Sequence, residues 1–244
     1  MIFPRFPNLG GGDAQDDERL PTGPGGLFHG VYPAQVTDIA DPKGQGRVRI
    51  KLPWSPDTGD AAGWEAWARI ATLFAGSGRG SWFIPDVDDE VLVAFGGGDP
   101  RHPFVIGGLW NGVDAPPEEM DGGGENNLKT LKSRNGVTVR FDDTSGSELL
   151  HLETPGGQTV TLKDGPGAIE LVDSNGNSVK LETAGVTVDS GGKVSVSASM
   201  VEVSASMVTV NAGISKFSGT VQADTVITNS IIAASYTPGA GNIW

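Results

Sequence analysis

Few side chains in this sequence have a type and spacing that could do chemistry. There is no cysteine, which excludes thiol nucleophiles, disulfides and thiolate zinc sites. The three histidines, His29, His102 and His151, are far apart in the sequence. His102 stands between an arginine and a proline, a context typical of a turn rather than of a catalytic base. Serines are abundant, but a serine is not a nucleophile without a base nearby.

Carboxylates cluster at two places. Four acids lie within residues 86–90, but no twelve-residue calcium-loop pattern follows, which favours a polar loop before a strand. Glu118, Glu119 and Asp121 lie in a stretch rich in Pro and Gly. Such a segment is not expected to hold an acid and a base rigidly enough for catalysis. The sequence therefore predicts a protein that is not an enzyme, with no catalytic residue, metal site or cofactor.

The charge balance disfavours some classes of binding partner. Lys and Arg number 17 against 30 Asp and Glu, a net charge of −13 over 244 residues. Phosphate backbones and anionic membrane surfaces attract clustered cations, so nucleic acid and a charged membrane surface are disfavoured. No stretch reaches the roughly 18 apolar residues of a membrane span, and the first residues lack the apolar core of a Sec-type signal peptide. We expect synthesis in the cytoplasm.

The sequence pattern of residues 28–113 predicts a small β-barrel. Residues 47–52 alternate strictly between cationic and aliphatic side chains, which is typical of a half-buried strand. Further strands are predicted at residues 31–39, 67–72, 81–84, 90–95 and 104–109, separated by Gly- and Pro-rich turns. Short strands at this density favour an OB-fold. Five of the six tryptophans lie in this region, so we expect the hydrophobic core here.

The outward row of the predicted barrel strand consists of Arg47, Arg49 and Lys51. An OB-fold can bind single-stranded nucleic acid through such a row. At this net charge we favour the alternative, in which the row contacts a partner protein or forms salt bridges within the domain.

Two segments flank the barrel. Residues 1–27 are rich in Gly, Pro and Asp and are expected to form a flexible extension, although Phe3 and Phe6 could anchor it to a partner. Residues 114–128 contain Pro-Pro, acids and a Gly run and predict a spacer with no core of its own.

Residues 129–244 have a different character. A seven-residue unit ending in Met200 repeats almost unchanged up to Met207. Apolar residues occupy every second position, which is the period of a strand and not of a coiled coil. We assign the apolar positions to an inward face: Val194, Val196, Met200, Val201, Val203, Met207, Val208 and Val210.

Units of about seven residues are too short for a single-chain β-helix. They suit one face of a triangular prism in which three identical chains wind around a common axis. The predicted fold class is therefore all-β, an OB barrel followed by an intertwined trimeric β-helix.

A resemblance supports this organisation. Several segments resemble central spike proteins of contractile injection systems: residues 32–36, 41–50, 52–54, 67–71, 78–80, 83–85, 89–95, 98–103 and 107–112, followed by Pro116-Pro117 and residues 132–136. This family includes phage baseplate assembly protein V, the type VI secretion spike and the spikes of phage-tail-like particles. The resemblance covers residues 28–220.

The resemblance implies a homotrimeric spike beneath the inner tube, seated against a hub protein and tipped by a small PAAR-repeat protein. Sheath contraction would drive the spike through an envelope, so its contact with the target membrane is mechanical. The particle could remain in the cell or be released.

This sequence differs in two ways from some members of that family, and these differences refine the expectation. The short spacer leaves no room for the lysozyme domain that some phage spikes carry there, and only 27 residues precede the barrel, so we expect the hub to be a separate chain. Some phage spikes bind iron through a His-x-His pair near the apex, and this sequence has no such pair.

The C-terminal residues break the strand alternation. Pro238, Gly239 and Gly241 stop a strand, and the chain ends on Trp244. We expect residues 231–244 to form either the seat for the tip protein, with Tyr236, Ile243 and Trp244 as contacts, or a seal that folds back on the shaft.

The alternative function is a trimeric tailspike that binds or degrades surface polysaccharide. Such a protein needs a groove with paired carboxylates and sugar-stacking aromatics. Only four aromatics occur after residue 130: Phe141, Phe217, Tyr236 and Trp244.

Overall fold

The computed structural model describes residues 27–54, 64–165 and 168–235. They divide into two compact units that meet between Lys193 and Val194. The first unit contains a closed barrel and a seven-stranded sheet, and the described residues contain no α-helix. The predicted contacts Phe3, Phe6, Tyr236, Ile243 and Trp244 lie outside the described residues.

The barrel consists of five strands in the closed order β1-β2-β3-β7-β6. Its strands are β1 (Val31–Asp38), β2 (Val48–Lys51), β3 (Glu65–Ile70), β6 (Glu90–Phe95) and β7 (Pro103–Gly108). Neighbours are antiparallel except β3 and β7, which pair in parallel. This is the five-stranded arrangement expected of an OB-fold, and the strand predictions on these five segments are confirmed to within two residues.

The predicted strand at residues 81–84 is wrong. A short hairpin takes its place, with β4 (Ala75–Gly76) paired to β5 (Arg79–Gly80). The glycine-rich turn folds the chain back, so that the Ser81 amide donates to the Phe74 carbonyl at 3.1 Å. Because the barrel already closes through β1 and β6, it offers residues 81–84 no free edge.

The barrel core is mainly aliphatic. Alternate residues of β2 and β6 point inward, and Val48, Ile50 and Val93 have no exposed surface. Phe28 closes one end, with its ring 5.1 Å from the ring of Phe95. The predicted place of the core is thus correct, although its composition differs.

The tryptophans surround this core instead of forming it. Trp54 and Trp64 pack against its edge, whereas Trp82 is 75% and Trp110 70% exposed. Trp67 lies on the outward face of β3 because its neighbour Ala68 takes the inward position.

A single antiparallel meander follows the barrel. Each strand pairs with the next, in the order β14-β13-β12-β11-β10-β9-β8. The strands are β8 (Leu128–Lys132), β9 (Thr138–Asp142), β10 (Leu149–Glu153), β11 (Thr159–Lys163), β12 (Ile169–Val172), β13 (Ser178–Glu182) and β14 (Gly185–Asp189). Here the structure differs from the prediction of seven-residue units from residue 129 onward: the strands are shorter and pair within the chain.

Turns of one kind join the strands at one side of the sheet. Gly136, Gly157 and Gly176 each have φ between 81° and 88°, and each donates its amide to the carbonyl three residues earlier. Because this left-handed conformation favours glycine, the glycines set the positions at which the chain reverses.

The second unit has no assigned strand among residues 194–235, and every one of these residues is exposed. The predicted β-helix in this segment stays a prediction, because its backbone hydrogen bonds would join different chains.

Candidate functional site: an assembly surface

The register of the meander sorts its side chains onto two faces. Residues directly opposite on neighbouring strands share a face, and so do residues two apart on one strand. One face, which we call the apolar sheet face, is apolar at every position except Lys129. Its two rows are Leu131, Val139, Leu152, Val160, Leu171, Val179 and Val188, and Lys129, Phe141, Leu150, Leu162, Ile169, Leu181 and Val186.

The apolar sheet face is uncovered in the single chain. Its members are half-buried or exposed, with values such as 58% for Leu131, 42% for Leu171 and 57% for Val188. An antiparallel sheet normally packs one face on a core, and an exposed apolar patch of this extent marks an interaction site. The sheet therefore requires a partner on this side.

The opposite face is polar. Its central row is Thr130, Arg140, His151, Thr161, Glu170, Lys180 and Thr187. Lys180 and Glu170 form an ion pair at 2.7 Å, which lowers the pKa of the Glu170 carboxyl and raises that of the lysine. The His151 ring and the Thr161 hydroxyl are 3.0 Å apart. These groups satisfy one another without a partner protein.

The segment between barrel and sheet, residues 110–127, is attached at both ends, and we call it the linker strap. At the barrel, Asn111 donates to the Glu90 carboxylate at 2.9 Å. At the sheet, Glu118 accepts hydrogen bonds from Thr130 at 2.7 Å and from Arg140 at 3.1 Å. Asp121 accepts backbone amides of the Gly-rich turn that follows.

The prediction that this spacer does not hold an acid and a base rigidly for catalysis stays a prediction, but the sheet does hold one of its carboxylates, Glu118, in place. The hydroxyl of Thr130 and then the Arg140 guanidinium hold the pKa of the Glu118 carboxyl below its usual range. A general acid needs a raised pKa, so this environment keeps Glu118 ionised and gives it a structural role.

A second attachment joins the barrel to the sheet. Arg134, in the turn between β8 and β9, forms an ion pair with Asp86 of the barrel at 2.7 Å. Both the linker strap and this bridge therefore fasten the barrel to the first two strands of the sheet.

The cationic row on β2 is engaged within its own domain. Arg47 binds Asp41 at 2.6 Å, and this guanidinium holds the pKa of the Asp41 carboxyl well below its usual range. Arg49 lies 3.2 Å from both Asp38 and Glu65. Both guanidinium groups also stack over the Trp67 ring. Lys51 pairs in register with Glu65. These contacts favour the salt-bridge interpretation of the row, and its role as a partner contact stays a prediction.

The structure leaves the predicted inward face of the shaft untested. Val194, Val196, Met200, Val201, Val203, Met207, Val208 and Val210 are 62–79% exposed in one chain. The backbone of residues 194–235 forms no ladder within the described chain. In the predicted prism, the backbone amides and carbonyls of this segment would pair with strands of other copies, which stays a prediction.

The described residues show no metal site and no membrane helix. No group of three or more His, Asp or Glu side chains in them is placed to hold an ion. Within the same residues, no helix is long and apolar enough to cross a bilayer. The histidines His29, His102 and His151 remain apart, each with its own local neighbours.

Sequence reasoning missed the residues of the apolar sheet face. It placed the inward positions only at residues 194–210, whereas the meander presents a more extensive apolar surface before them. The signal was present in turns of the form Ser/Thr/Asp-x-x-Gly at residues 133–136, 154–157 and 173–176, which bracket pairs of short alternating strands.

A closed β-barrel, followed by a sheet with an uncovered apolar face, defines a class of all-β protein with an assembly surface. Residues 32–110 match the type VI secretion system/phage-baseplate injector OB domain. Residues 149–214 match the phage baseplate V C-terminal trimerisation domain. Together the two matches cover more than half of the chain, which belongs to the phage baseplate V and type VI secretion spike family. The resemblance is confirmed, and the trimerisation match supports the predicted homotrimer.

Curated relatives agree with this family. The chain is 27% identical over 158 residues to the type VI secretion system spike protein VgrG1b of Pseudomonas aeruginosa, covering 59% of the chain and 21% of that protein. It is 31% identical over 131 residues to the spike protein VgrG4b of the same organism, covering 49% and 16%. A protein named actin cross-linking toxin VgrG1, from Vibrio cholerae, is 28% identical over 148 residues, covering 55% and 13%. The chain thus spans about a fifth or less of these relatives.

Proposed function

We propose that this chain is the structural central spike of a contractile injection system baseplate. It joins a separate hub protein and the inner tube to a membrane-piercing tip, and it punctures the target envelope when the sheath contracts. The observation that carries the proposal is the apolar sheet face, which has the form of an assembly surface in a chain whose two domains match spike components.

The proposal includes no catalysis. Its partners are two further copies of the chain, the hub, other baseplate and inner-tube proteins and a PAAR-repeat tip protein, with neither nucleic acid nor cofactor. We place its synthesis in the cytoplasm and its final position in a phage-tail-like particle.

The structure does not favour the alternative function of binding or degrading polysaccharide. Of the aromatics after residue 130, Phe141 belongs to the apolar sheet face, opposite Leu150. Any part of another copy that covers the apolar sheet face would also cover Phe141, and the Phe141 ring then could not stack on a sugar.

The test is complementation of a deletion strain. Particles purified from the deletion strain should lack assembled baseplates, and the wild-type chain should restore both baseplates and envelope damage in target cells. Val188→Asp on the apolar sheet face should fail to restore them, whereas Thr187→Asp, its neighbour on the polar face, should succeed. Normal baseplates without the chain would refute the proposal, and so would activity on polysaccharide as its only phenotype.

A further inference from the structure

Residues 27–29, which we call the latch, connect the N-terminal extension to the barrel and pack on the turn between β6 and β7. β1 begins only at Val31, so the latch precedes the first strand of the barrel. The Phe28 amide donates a hydrogen bond to the Gly98 carbonyl of that turn at 2.8 Å. This bond holds the latch backbone against the turn.

The central side chain of the latch closes one end of the barrel. Phe28 is only 1% exposed, and its ring lies 5.1 Å from the Phe95 ring and 5.4 Å from the Tyr32 ring. The Tyr32 hydroxyl also donates to the His29 carbonyl at 2.8 Å. The latch therefore buries a large aromatic group against the barrel without being one of its strands.

Gly98 is the residue on which the latch closes, and its lack of a side chain makes the contact possible. It is buried and has a φ of 80°. A Cβ added to Gly98 would lie 2.9 Å from the Leu27 Cβ and 3.1 Å from the His29 ring. Because the Leu27 Cβ is bonded to the backbone, it cannot rotate away. A side chain at this position would therefore push the latch off the turn.

The barrel closes without the latch. Its five strands form a closed ladder among themselves, and inward residues such as Ile50 and Val93 are fully buried. Gly30, which has a φ of 103° and open space around it, separates the latch from β1. A residue of this kind can absorb a change in backbone direction. The latch can thus leave the turn while the ladders of the barrel remain intact.

We propose that the latch is a conformational device that opens and closes on Gly98 as a unit, with Gly30 as its hinge, while the barrel stays folded. In the closed state, Phe28 fixes the point at which the N-terminal extension joins the barrel. In the open state, the rings of Phe95 and Tyr32 are uncovered. A partner that binds the extension with different affinity in the two states would be coupled to this end of the barrel. The inference rests on the barrel alone and not on the proposed injection function.

Native-state hydrogen exchange of the full-length protein, measured at low concentrations of denaturant, tests the opening. The Phe28 amide should exchange faster than the amides of β2, and its rate should change little with denaturant, because local opening exposes little surface. The amides of β2 should show a steep dependence, because they exchange only when the barrel unfolds. An equally steep dependence at Phe28 would overturn the proposal, since the latch and the barrel would then open together.

A matched pair of variants, Gly98→Ala and Gly97→Ala, tests the contact. Gly97 has a φ of 62° and open space around it, so both variants carry similar backbone strain but only Gly98→Ala collides with the latch. Gly98→Ala should increase exchange at Phe28, and chymotrypsin cleavage after Phe28, by roughly tenfold or more, with exchange in β2 equal to that in Gly97→Ala. Equal rates at Phe28 in the two variants would overturn the proposal. So would a Gly98→Ala protein in which β2 loses protection to the same extent as Phe28.

Discussion

Placing a carboxylate on the apolar sheet face tests whether that face forms the trimer. Val188 and Thr187 are neighbours on β14 and point to opposite faces of the sheet. Val188→Asp should weaken the trimer strongly, and Thr187→Asp should leave it intact. The control introduces the same charge one residue away, next to Lys180 in the register, where water and an ammonium group can stabilise it.

The magnitude follows from the exposure of Val188. Fully burying a valine side chain contributes about 1.5 kcal/mol. Because 57% of Val188 is exposed in the single chain, covering this exposed part contributes about 0.9 kcal/mol per chain and about 2.6 kcal/mol per trimer. Loss of this burial alone weakens the association by roughly 70-fold. Three unpaired carboxylates in an apolar interface add an effective penalty of several kcal/mol each, so the trimer should not form at micromolar concentration.

Sedimentation velocity over a concentration series measures the association. The wild type and Thr187→Asp should sediment at three times the 25.2 kDa chain mass, and Val188→Asp should sediment as a smaller species. Amide hydrogen exchange in the barrel strands should be unchanged in both variants, because the barrel core is formed by residues of the barrel itself. Equal association of the two variants would show that the apolar sheet face is not the interface.

Three further outcomes are expected. The pKa of the Glu118 carboxyl is lowered in the folded state, so the stability that Glu118 contributes is complete above the usual glutamate pKa of about 4.3 and is lost as the pH falls through the lower folded value. Amide hydrogen exchange in the strap, relative to the intrinsic rate, should therefore rise at acid pH, and Glu118→Gln should abolish this rise. An unchanged rise in the variant would assign it to another group. Val203→Asp should lower the thermal midpoint of the trimer by placing three like charges near one axis, while Ser204→Asp should not; equal midpoints would mean that the two faces of the shaft are misassigned. Deleting residues 236–244 should prevent co-purification of the tip protein, whereas full retention of the tip on an intact trimer would leave those residues as a seal.

The barrel could be predicted from sequence because its signals are local. The alternation around Val48 and Ile50 and the Gly- and Pro-rich turns determine strand positions without knowledge of distant contacts. The hairpin at residues 75–80 was not predicted, since a two-residue pairing has no periodicity. The exposure of Trp82 and Trp110 was also missed, because composition places aromatics in a domain without telling which face they occupy.

The assembly surface was harder to predict. The repeat ending at Met200 and Met207 is conspicuous in the sequence, and it drew the inferred core to residues 194–210. The apolar sheet face is distributed over seven strands and emerges only when the register brings residues such as Leu171 and Val179 opposite each other. The attachment of the strap could not be predicted for a similar reason, because the anchoring of Glu118 depends on Thr130 and Arg140, which lie 12 and 22 residues further along the chain.

The order of strands in the meander affects how the chain folds and assembles. Every strand of the sheet pairs with its neighbour in sequence, so its contacts are local and its folding should be fast and independent of protein concentration. Residues 194–235 have no ladder within the described chain, and the predicted prism would form there only when three chains meet, a step whose rate depends on concentration. Between the two events the chain exposes its apolar sheet face and is prone to aggregate. Rapid encounter of sibling chains, as on one polysome, would shorten this vulnerable interval.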